Sequence, residues 1–237
     1  MKEPSRHFYG PDLAHVHAED FARYWDGAAD WLADLARRVG QTPFVVDIGC
    51  GDGRMLAELA DRGINGQGID VSESFVAAAK ARGLEVEVGD AKHFEMPTAS
   101  MVYALGEVLA YEDCSGSISL EPIVRAAASS LLSGGVLVFD VTTPAMNESM
   151  SWREANDWMV ASRCSITKDN RLERQIVTFR RDGTAWRRSQ ELHHQKLLHN
   201  NTVEMTLRDS GFSVELLSSF GKVALPLGRQ GYLAKKS

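Results

Sequence analysis

A glycine-rich turn is the segment of this sequence whose residue types and spacing point most directly to chemistry. Within VVDIGCGDGRM (45–55), Gly49 and Gly51 follow a short β-branched apolar run and precede a helical pattern. Glycine has no Cβ, so these two positions let the backbone turn sharply and come close to a ligand. The helix that follows directs its free N–H groups at the same place. The segment therefore predicts a strand–turn–helix unit that binds a small ligand.

Two kinds of cofactor are bound by such a turn, and the spacing distinguishes them. A dinucleotide site has the pattern G-x-G-x-x-G, whereas here the third glycine, Gly53, comes one position early and the bulky Arg54 follows it. Asp47 ends the strand beside the turn, where a carboxylate suits the cationic amino group of a methionyl moiety better than a pyrophosphate. The pattern D-x-G-x-G-x-G therefore favours S-adenosylmethionine (SAM), with an NAD-dependent oxidoreductase as the alternative.

Two further aspartates each follow a predicted strand. Asp70 ends GQGIDV (66–71), and Asp90 follows LEVEVG (84–89). The carboxyl ends of parallel strands meet at one edge of a sheet, where open α/β folds bind ligands. There Asp70 can accept hydrogen bonds from both ribose hydroxyls, and Asp90 can accept one from the adenine amine while Ala91 supplies a backbone N–H. The alternative is that these aspartates only cap helices or turns.

Residues that could assist methyl transfer are harder to identify. SAM already activates its methyl group, so a protein mainly positions and desolvates, and a base is needed only if the acceptor must lose a proton. Glu107 can contact the methionyl amine, its favoured role, orient the acceptor or act as base. Tyr111 can present a hydroxyl or be a core or lid aromatic residue. Cys50 is interpreted as a small residue of the turn and not a nucleophile, because no base adjoins it in the sequence.

A histidine in QELHHQK (190–196) is the third catalytic candidate. Strand alternation places Glu191, His193 and Gln195 on one face, where the carboxylate can fix the ring tautomer or raise its basicity. His194 points the other way without such a partner. The alternative is that His193 is structural or exposed. No metal site is predicted, because the paired histidines diverge and no carboxylate-rich motif accompanies them.

The elements that must position these residues alternate between strand and helix over residues 43–141. This alternation predicts right-handed βαβ units and a parallel sheet. Ser72 can cap one of the helices, and Asn201 with Glu204 resembles a capping pair before the last helix. The predicted strands are FVVDI (44–48), GQGIDV (66–71), LEVEVG (84–89), MVYALG (101–106), GGVLVFDV (134–141), FSVELLSSF (212–220) and GYLAKK (231–236).

The remaining segments predict two lids. Residues 1–40 carry apolar side chains every three to four positions from Phe21 to Leu35, which predicts an amphipathic helix, and Tyr9, Trp25, His15 and His17 can border a pocket beneath it. Residues 151–200 predict a three-stranded antiparallel insert on the acceptor side. Residues 1–150 and 201–237 then form the cofactor-binding core. The three runs of the insert are Trp158–Thr167, Leu172–Arg181 and Ala185–Leu197, separated by Asp-Asn and Asp-Gly turns.

Composition limits the class of protein. The 237 residues carry a formal net charge of −6, which weakens the case for a nucleic-acid partner, although four arginines of the insert leave a local basic patch. No apolar run approaches the ~20 residues of a membrane span, no secretory signal is apparent, and three cysteines are too few for a disulfide framework. We therefore expect a cytoplasmic protein. Its oligomeric state stays open.

With these residues in place, the chain resembles the class I SAM-dependent methyltransferases over nearly its whole length. GEVLAY (106–111) and FDVTTP (139–144) are similar to segments of a bacterial small-molecule group that has an N-terminal helix and a β insert. The resemblance implies a Rossmann-like α/β fold with a seven-stranded sheet of order 3-2-1-4-5-7-6, strand 7 antiparallel and helices on both faces. It also implies SAM contacts at Asp47, Gly49, Cys50, Gly51, Asp70, Val71, Asp90, Ala91, Leu105, Gly106 and Glu107.

Two departures from the group are visible. Ser100 stands where an acidic residue usually opens the fourth strand, at the end remote from the ligand edge. LGEV replaces the D/N-P-P-Y/F motif of DNA amino-methyltransferases, which argues against methylation of base amines. The sequence therefore predicts methyl transfer from SAM to a small molecule at oxygen or nitrogen. The alternatives are a protein- or tRNA-directed methyltransferase and a SAM-binding protein that has lost methyl transfer.

Overall fold

The computed structural model describes residues 8–40, 42–113, 116–118 and 120–237. The helices are α1 (Pro11–Glu19), a 3₁₀ helix (Phe21–Ala28), α2 (Ala29–Arg37), α3 (Arg54–Ala60), α4 (Glu73–Ala81), α5 (Leu120–Ser130) and α6 (Asn200–Asp209), with short 3₁₀ turns at Ala91–His93 and Val108–Ala110. The strands are β1 (Phe44–Ile48), β2 (Asn65–Asp70), β3 (Val86–Val88), β4 (Ala99–Ala104), β5 (Leu131–Thr142), β6 (Ser149–Glu154), β7 (Trp158–Ile166), β8 (Arg171–Asp182), β9 (Ala185–Lys196), β10 (Phe212–Leu217), β11 (Ser219–Phe220), β12 (Val223–Ala224) and β13 (Arg229–Lys236).

Seven strands of the described chain form the central sheet, in the order β10-β13-β5-β4-β1-β2-β3. The first five strands are parallel, and β13 is antiparallel to both of its neighbours, β5 and β10. With β10 as the sixth strand and β13 as the seventh, this is the order that the sequence predicted. The prediction of a Rossmann-like α/β fold is confirmed.

Helices cover both faces of this sheet. One apolar cluster joins α5 and α6 to the face that carries Val46, and a second joins α2, α3 and α4 to the face that carries Val45. Successive side chains of a strand point to opposite faces, so β1 is buried on both sides and its sequence is apolar except for Asp47. The sheet is therefore held rigidly, and the loops at its carboxyl edge are positioned by buried elements.

The insert departs from its prediction in strand number. It is a four-stranded antiparallel sheet of order β6-β7-β8-β9, with a strand before the three that were predicted. Ser149–Trp152 alternates polar and apolar residues, a short strand signal that the prediction passed over, and all six side chains of Ser149–Glu154 are exposed. The three-stranded count was therefore wrong by one edge strand.

The N-terminal region also differs from the single helix that was predicted. The chain leaves the helical conformation at Asp20, where φ is −123°, and α1 ends there. A 3₁₀ helix and then α2 follow, so three short segments cover the sheet edge. Of residues 1–40, positions 1–7 lie outside the described part of the chain.

The helix caps give one success and one error. Ser72 caps α4 as predicted, because its Oγ accepts a hydrogen bond from the Phe75 N–H at 3.3 Å. The predicted pair of Asn201 and Glu204 is not a capping pair. The helix begins at Asn200, with His199 in the cap position and no side-chain cap bond.

No helix in the described ranges is long and apolar enough to cross a bilayer.

Ser100 has a structural role at the start of β4. It is buried, its Oγ accepts from the Phe44 N–H at 2.9 Å, and its hydroxyl donates to the Phe44 carbonyl at 3.0 Å. These two bonds satisfy main-chain groups at the beginning of β1, far from the carboxyl edge of the sheet. Ser100, which stands where an acidic residue is usual, therefore joins the start of β4 to the start of β1 by hydrogen bonds.

Ser100→Ala should lower the free energy of unfolding by about 1–3 kcal/mol, because it leaves buried backbone groups of Phe44 unsatisfied. Denaturant titration measures this loss. Ser213→Ala is the matched control, since the Ser213 hydroxyl bonds a carbonyl in an exposed position, and should change stability little. Equal stability of the two variants would contradict this role.

Candidate functional site

A cavity lies at the carboxyl edge of the sheet, beside the ends of β1, β2 and β4. Ten of the eleven residues predicted to contact the cofactor line it, and Glu107 does not. The chain segments that carry these residues are far apart in sequence and are brought together by the parallel strands. The ten residues are Asp47, Gly49, Cys50, Gly51, Asp70, Val71, Asp90, Ala91, Leu105 and Gly106.

Hydrogen bonds from β2 fix the glycine turn. The N–H groups of Gly49 and Cys50 both donate to the Ile69 carbonyl, at 2.8 and 3.1 Å, and the Gly51 N–H donates to Asp70 Oδ2 at 2.9 Å. Gly49 has a φ of +71°, and a Cβ there would lie 2.7 Å from the Val108 side chain. Glycine is therefore required at this position both for the backbone conformation and for space.

Asp70 has two functions in this arrangement. Its Oδ1 accepts from the Ser72 N–H at 2.8 Å while Oδ2 holds Gly51, so the carboxylate is fixed between the turn and α4. Burial raises the pKa of Asp70, against the opposing effect of these backbone N–H groups. The same carboxylate lines the cavity. Both the structural and the ligand-facing interpretations of this residue are therefore compatible with its position.

Asp47 is a deeply buried acid of the cavity, with 3% of its surface exposed. Burial raises the pKa of this carboxyl to about 8, and the negative charges of Asp70 and Asp52 raise it further, against the opposing effect of Tyr103. No salt bridge joins Asp47 to a cationic side chain in the described residues, and the neutral Tyr103 hydroxyl beside it supplies no positive charge. The floor of the cavity is therefore an uncompensated acid.

Asp90 lies at the far end of the cavity. Its carboxylate accepts from the Lys92 N–H at 2.9 Å and lies 3.4 Å from the Lys92 ammonium, which also pairs with Asp113. Asp90 thus caps a short turn, as the alternative interpretation held, and its half-exposed side chain also lines the cavity. Ala91 follows it on the cavity wall.

The N-terminal segments cover the cavity opposite the turn. Phe8, Tyr9, His17 and Trp25 line this side, whereas His15 lies outside and pairs with Asp157 at 3.3 Å. Burial lowers the pKa of His17 to about 4, so this ring is a neutral part of the cover. The expected pocket border is therefore present, apart from His15.

A bidentate ion pair ties this cover to the turn. Arg54, the first residue of α3, donates to both carboxylate oxygens of Asp26 at 2.6 and 2.7 Å. The arginine that is too bulky for a dinucleotide turn thus has a defined partner in the 3₁₀ helix.

Glu107 belongs to a buried charge cluster beside the cavity. It is 1% exposed, its Oε1 lies 2.6 Å from Arg229, and its Oε2 lies 3.3 Å from Arg174 and accepts from Gln195 at 2.9 Å. Burial opposes ionisation, but the two arginines outweigh it and hold the pKa of Glu107 below its ordinary value. Asp140 completes the cluster 3.5 Å from Arg229, and burial raises its pKa to about 6. The structure thus surrounds Glu107 with protein cations.

Tyr111 reaches the cavity above this cluster. Its hydroxyl lies 3.3 Å from the Tyr9 hydroxyl and 3.3 Å from Arg174 Nη1. Arginine can only donate, so the Tyr111 oxygen accepts from it. Burial raises the pKa values of both tyrosines, which keeps the hydroxyls protonated. The pair has two protons and, over the described ranges, a protein acceptor for only one of them. One O–H donor is therefore left for the cavity.

His193 lies behind this tyrosine pair. Its Nε2 is 2.8 Å from Glu191 Oε2, and its Nδ1 is buried without a partner among the described residues. The rings of Phe8, Tyr9 and Tyr111 surround it at centroid distances of 5.1, 5.2 and 5.7 Å. The ring is 1% exposed and does not line the cavity.

The alternation along β9 is as the sequence predicted. Glu191, His193 and Gln195 are all buried on the inner face, and His194 is half-exposed on the outer face. The prediction that His194 lacks a carboxylate partner was wrong, because it pairs with Glu173 of the neighbouring strand at 3.3 Å. Cys50 is also buried, and burial raises the pKa of its thiol, which fits a packing residue and not a nucleophile.

Known proteins resemble this chain in part of its sequence and in its fold. The family described as "Methionine biosynthesis protein MetW" matches residues 29–102. A protein of Escherichia coli (strain K12), the uncharacterized protein YjhP, is 35% identical over 99 residues, which is 40% of this chain and 40% of that protein's length.

Solved structures match over nearly the whole chain. A SAM-dependent methyltransferase from Clostridium acetobutylicum ATCC 824 superimposes with a TM-score of 0.79 at 16% identity, covering 95% of this chain and 98% of the other. The sugar N-methyltransferase KedS8 from Streptoalloteichus sp ATCC 53650 gives 0.76 at 21% identity, over 100% and 98%. CalS10, an amino pentose methyltransferase from Micromonospora echinaspora with SAM bound, gives 0.73 at 19% identity, over 100% of both chains. This chain therefore has the fold of the class I SAM-dependent methyltransferases.

Proposed function

We propose that this protein transfers a methyl group from SAM to a small molecule, at oxygen or nitrogen. The observation that carries the proposal is the uncompensated carboxyl of Asp47 at the floor of the cavity. A buried acid without a cationic partner favours a ligand that brings positive charge. When bound, SAM supplies such charge in its ammonium and sulfonium groups, together with a methyl group already activated for transfer.

The residues present fit this cofactor. A Cβ at Gly51 would meet no protein atom within 4 Å, so the turn leaves open space in front of its backbone. We assign the methionyl amine to Asp47, the ribose hydroxyls to Asp70 and the adenine to Asp90 and Ala91. The walls of the site are the remaining predicted contacts that line the cavity, namely Gly49, Cys50, Gly51, Val71, Leu105 and Gly106.

A dinucleotide is the weaker candidate for the same cavity. Its anionic pyrophosphate near Asp47 and Asp70 would oppose ionisation of both carboxyls, whereas the cationic SAM favours it. Arg54, the nearest arginine of the turn, is already neutralised by Asp26. These electrostatics add to the glycine spacing in favour of SAM. Isothermal titration with S-adenosylhomocysteine and with NADH separates the two cofactors.

For the acceptor we propose a small molecule that presents a lone pair to the tyrosine pair. Tyr9 and Tyr111 offer one unused O–H donor at the cavity surface, which suits a hydroxyl oxygen of the acceptor, because the single lone pair of an amine must stay free to attack the methyl group. The sugar N-methyltransferase among the structural relatives makes an amine-bearing acceptor the first to test.

We further propose that residues 151–200 form the acceptor-side lid and that α1 and the 3₁₀ helix cover the cofactor. We also propose that the protein acts in the cytoplasm.

A macromolecular acceptor is supported less well. The arginines of the insert are partly engaged within the protein, since Arg187 pairs with Asp12 and Asp182. Arg181 stacks over the ring of Trp186. The basic patch thus offers less free charge to phosphates than its sequence indicates.

Incubating the protein with SAM and a panel of amino sugars, simple amines and hydroxyl compounds tests the function, with S-adenosylhomocysteine release as the readout. Binding of S-adenosylhomocysteine with no turnover on any panel member or on bulk tRNA and protein would favour a SAM-binding protein without transfer.

Asp70→Ala should weaken S-adenosylhomocysteine binding about tenfold or more, because it removes charge-assisted contacts to the ribose. Isothermal titration measures the affinity, and circular dichroism checks the fold. Asp61→Ala is the control, because Asp61 is an exposed aspartate at the end of α3 and does not line the cavity. Equal affinities for the two variants would contradict the ribose assignment.

SAM affinity should rise with pH between about pH 6 and pH 8, by up to about tenfold per pH unit, because the cationic cofactor favours ionised Asp47. Asp47→Asn should remove this dependence. A flat profile in the unmodified protein would contradict the amine assignment.

The sign for stability is opposite. The folded pKa of about 8 lies above the ordinary value of 3.8, so the stabilising contribution of protonated Asp47 is complete below about pH 4 and is lost as pH rises towards 8. Asp47→Asn should therefore raise Tm more at pH 8 than at pH 5.

The catalytic role of His193 stays a prediction. The carboxylate on Nε2 and the unpartnered Nδ1 have the arrangement of a base, whereas the ring lies behind Tyr9 and Tyr111. If it is a base, His193→Ala should lower kcat by about 10²–10⁴ with SAM affinity unchanged. His194→Ala, on the outer face, should change neither kcat nor SAM affinity. Wild-type turnover by both variants would leave positioning, through Tyr111, as the whole mechanism.

A further inference from the structure

One peptide near the start of the described chain is held from two sides. The Glu191 carboxylate accepts from the Tyr9 N–H at 2.8 Å through Oε2 and from the Gly10 N–H at 2.9 Å through Oε1. On the other side, the Ser72 hydroxyl donates to the Tyr9 carbonyl at 2.7 Å. Glu191 belongs to β9 of the insert, whereas Ser72 caps α4 of the core. The Tyr9 peptide therefore joins the insert to the cofactor half of the site.

The backbone of Tyr9 requires these contacts. Its φ is 52°, in the left-handed region that residues other than glycine rarely occupy. This conformation places the ring against Phe75, at 5.1 Å between centroids, and brings the hydroxyl to Tyr111. If the bonds to the peptide were lost, Tyr9 would relax towards an ordinary conformation and leave the cavity wall. The position of Tyr9 thus depends on Glu191.

The helix α1 is joined to the insert by apolar packing, since Leu13 and Val16 share one buried cluster with Trp158, Val160 and Ile176 of β7 and β8. Asp12 adds a bidentate pair with the exposed Arg187. These contacts hold the helix, but none of them binds the backbone of Tyr9. Glu191 is only 5% exposed and is hydrogen-bonded by His193 as well as by the two N–H groups. The buried carboxylate is therefore the contact by which the insert fixes the chain at Tyr9 and Gly10.

We propose that Glu191 is a positioning residue of the site, a latch by which the acceptor-side insert holds Tyr9 in the wall of the cofactor cavity. It touches neither cofactor nor acceptor and acts through the Tyr9–Gly10 peptide. This proposal rests on the proposed function in one respect, because it takes the cavity that Tyr9 lines to be the site of SAM. We therefore expect the hydrogen bonds from Tyr9 and Gly10 to Glu191 to slow the release of the cofactor.

Glu191→Gln tests the latch with S-adenosylhomocysteine as the probe. The variant keeps the size of the side chain but removes the charge that binds two N–H groups. We expect faster hydrogen exchange at the Tyr9 and Gly10 amides and dissociation of S-adenosylhomocysteine about tenfold faster in stopped flow, with a smaller change in association rate. Glu173→Gln is the matched control, a Glu–His pair on the outer face of the same strands, 38% exposed, and it should change neither quantity.

A second pair of variants breaks the same contact without touching Glu191. Gly10 has a φ of −60°, which proline can adopt, and Gly10→Pro removes the N–H that Glu191 Oε1 accepts. A proline here also disfavours the conformation of Tyr9 before it. Gly10→Ala keeps the N–H, and its Cβ would lie 3.4 Å from Glu191 Oε1, an ordinary contact. Gly10→Pro should behave like Glu191→Gln, and Gly10→Ala like the unmodified protein.

The outcomes separate the latch from the proposed function. If the unmodified protein fails to bind S-adenosylhomocysteine, the cofactor assignment is wrong, and exchange at Tyr9 and Gly10 still decides whether Glu191 holds the chain there. The latch is overturned if Glu191→Gln and Glu173→Gln leave these amides equally protected. It is also overturned if Glu191→Gln loosens amides throughout the central sheet to the same degree, since that result assigns Glu191 to global stability.

Discussion

Asp47 lies at the end of β1 with its carboxyl shielded from water and no salt bridge within the described chain. Burial of an acid without compensation is costly, and the surrounding structure makes it unavoidable. The parallel strands on either side exclude water, and Asp70 and Asp52 add negative charge. The glycine turn, the bonds from Ile69 and the N-terminal cover all enclose the same point. Much of the site can be understood as a polar cavity that is completed by a cation.

The cluster around Glu107 solves a similar electrostatic problem in the opposite way. Glu107 and Asp140 are as deeply buried as Asp47, but Arg174 and Arg229 supply two positive charges from β8 and β13. Here the protein provides its own counter-ions, so this cluster has no comparable need for a ligand. The contrast separates the two groups of acids at the sheet edge. One group is open to a charged ligand, and the other joins β4, β5 and β13 to the insert beneath Tyr111.

This contrast also marks how far the sequence could be interpreted. The glycine turn, Asp47 and Asp70 follow from local patterns, because each lies at the end of a strand that its own residues specify. The partners of Glu107 lie 67 and 122 residues further along the chain, at Arg174 and Arg229, and no spacing rule connects them. The edge strand Ser149–Glu154 was missed for another reason. Its alternation of Ser149, Met150, Ser151 and Trp152 is only four residues long, and its side chains are all exposed, so the pairing with β7 depends on main-chain hydrogen bonds and not on burial.

Tyr9 shows why function at this site depends on contacts that local patterns do not reveal. Its peptide contacts the core through Ser72 and the insert through Glu191, its ring packs on Phe75, and its hydroxyl meets Tyr111. A residue with so many partners adopts a backbone conformation that its own type disfavours, because the partners together offset the strain. The hydroxyl pair at the acceptor side and the wall of the cofactor cavity are then parts of one arrangement. A change in the insert can therefore reach the cofactor through a single peptide, without any movement of the central sheet.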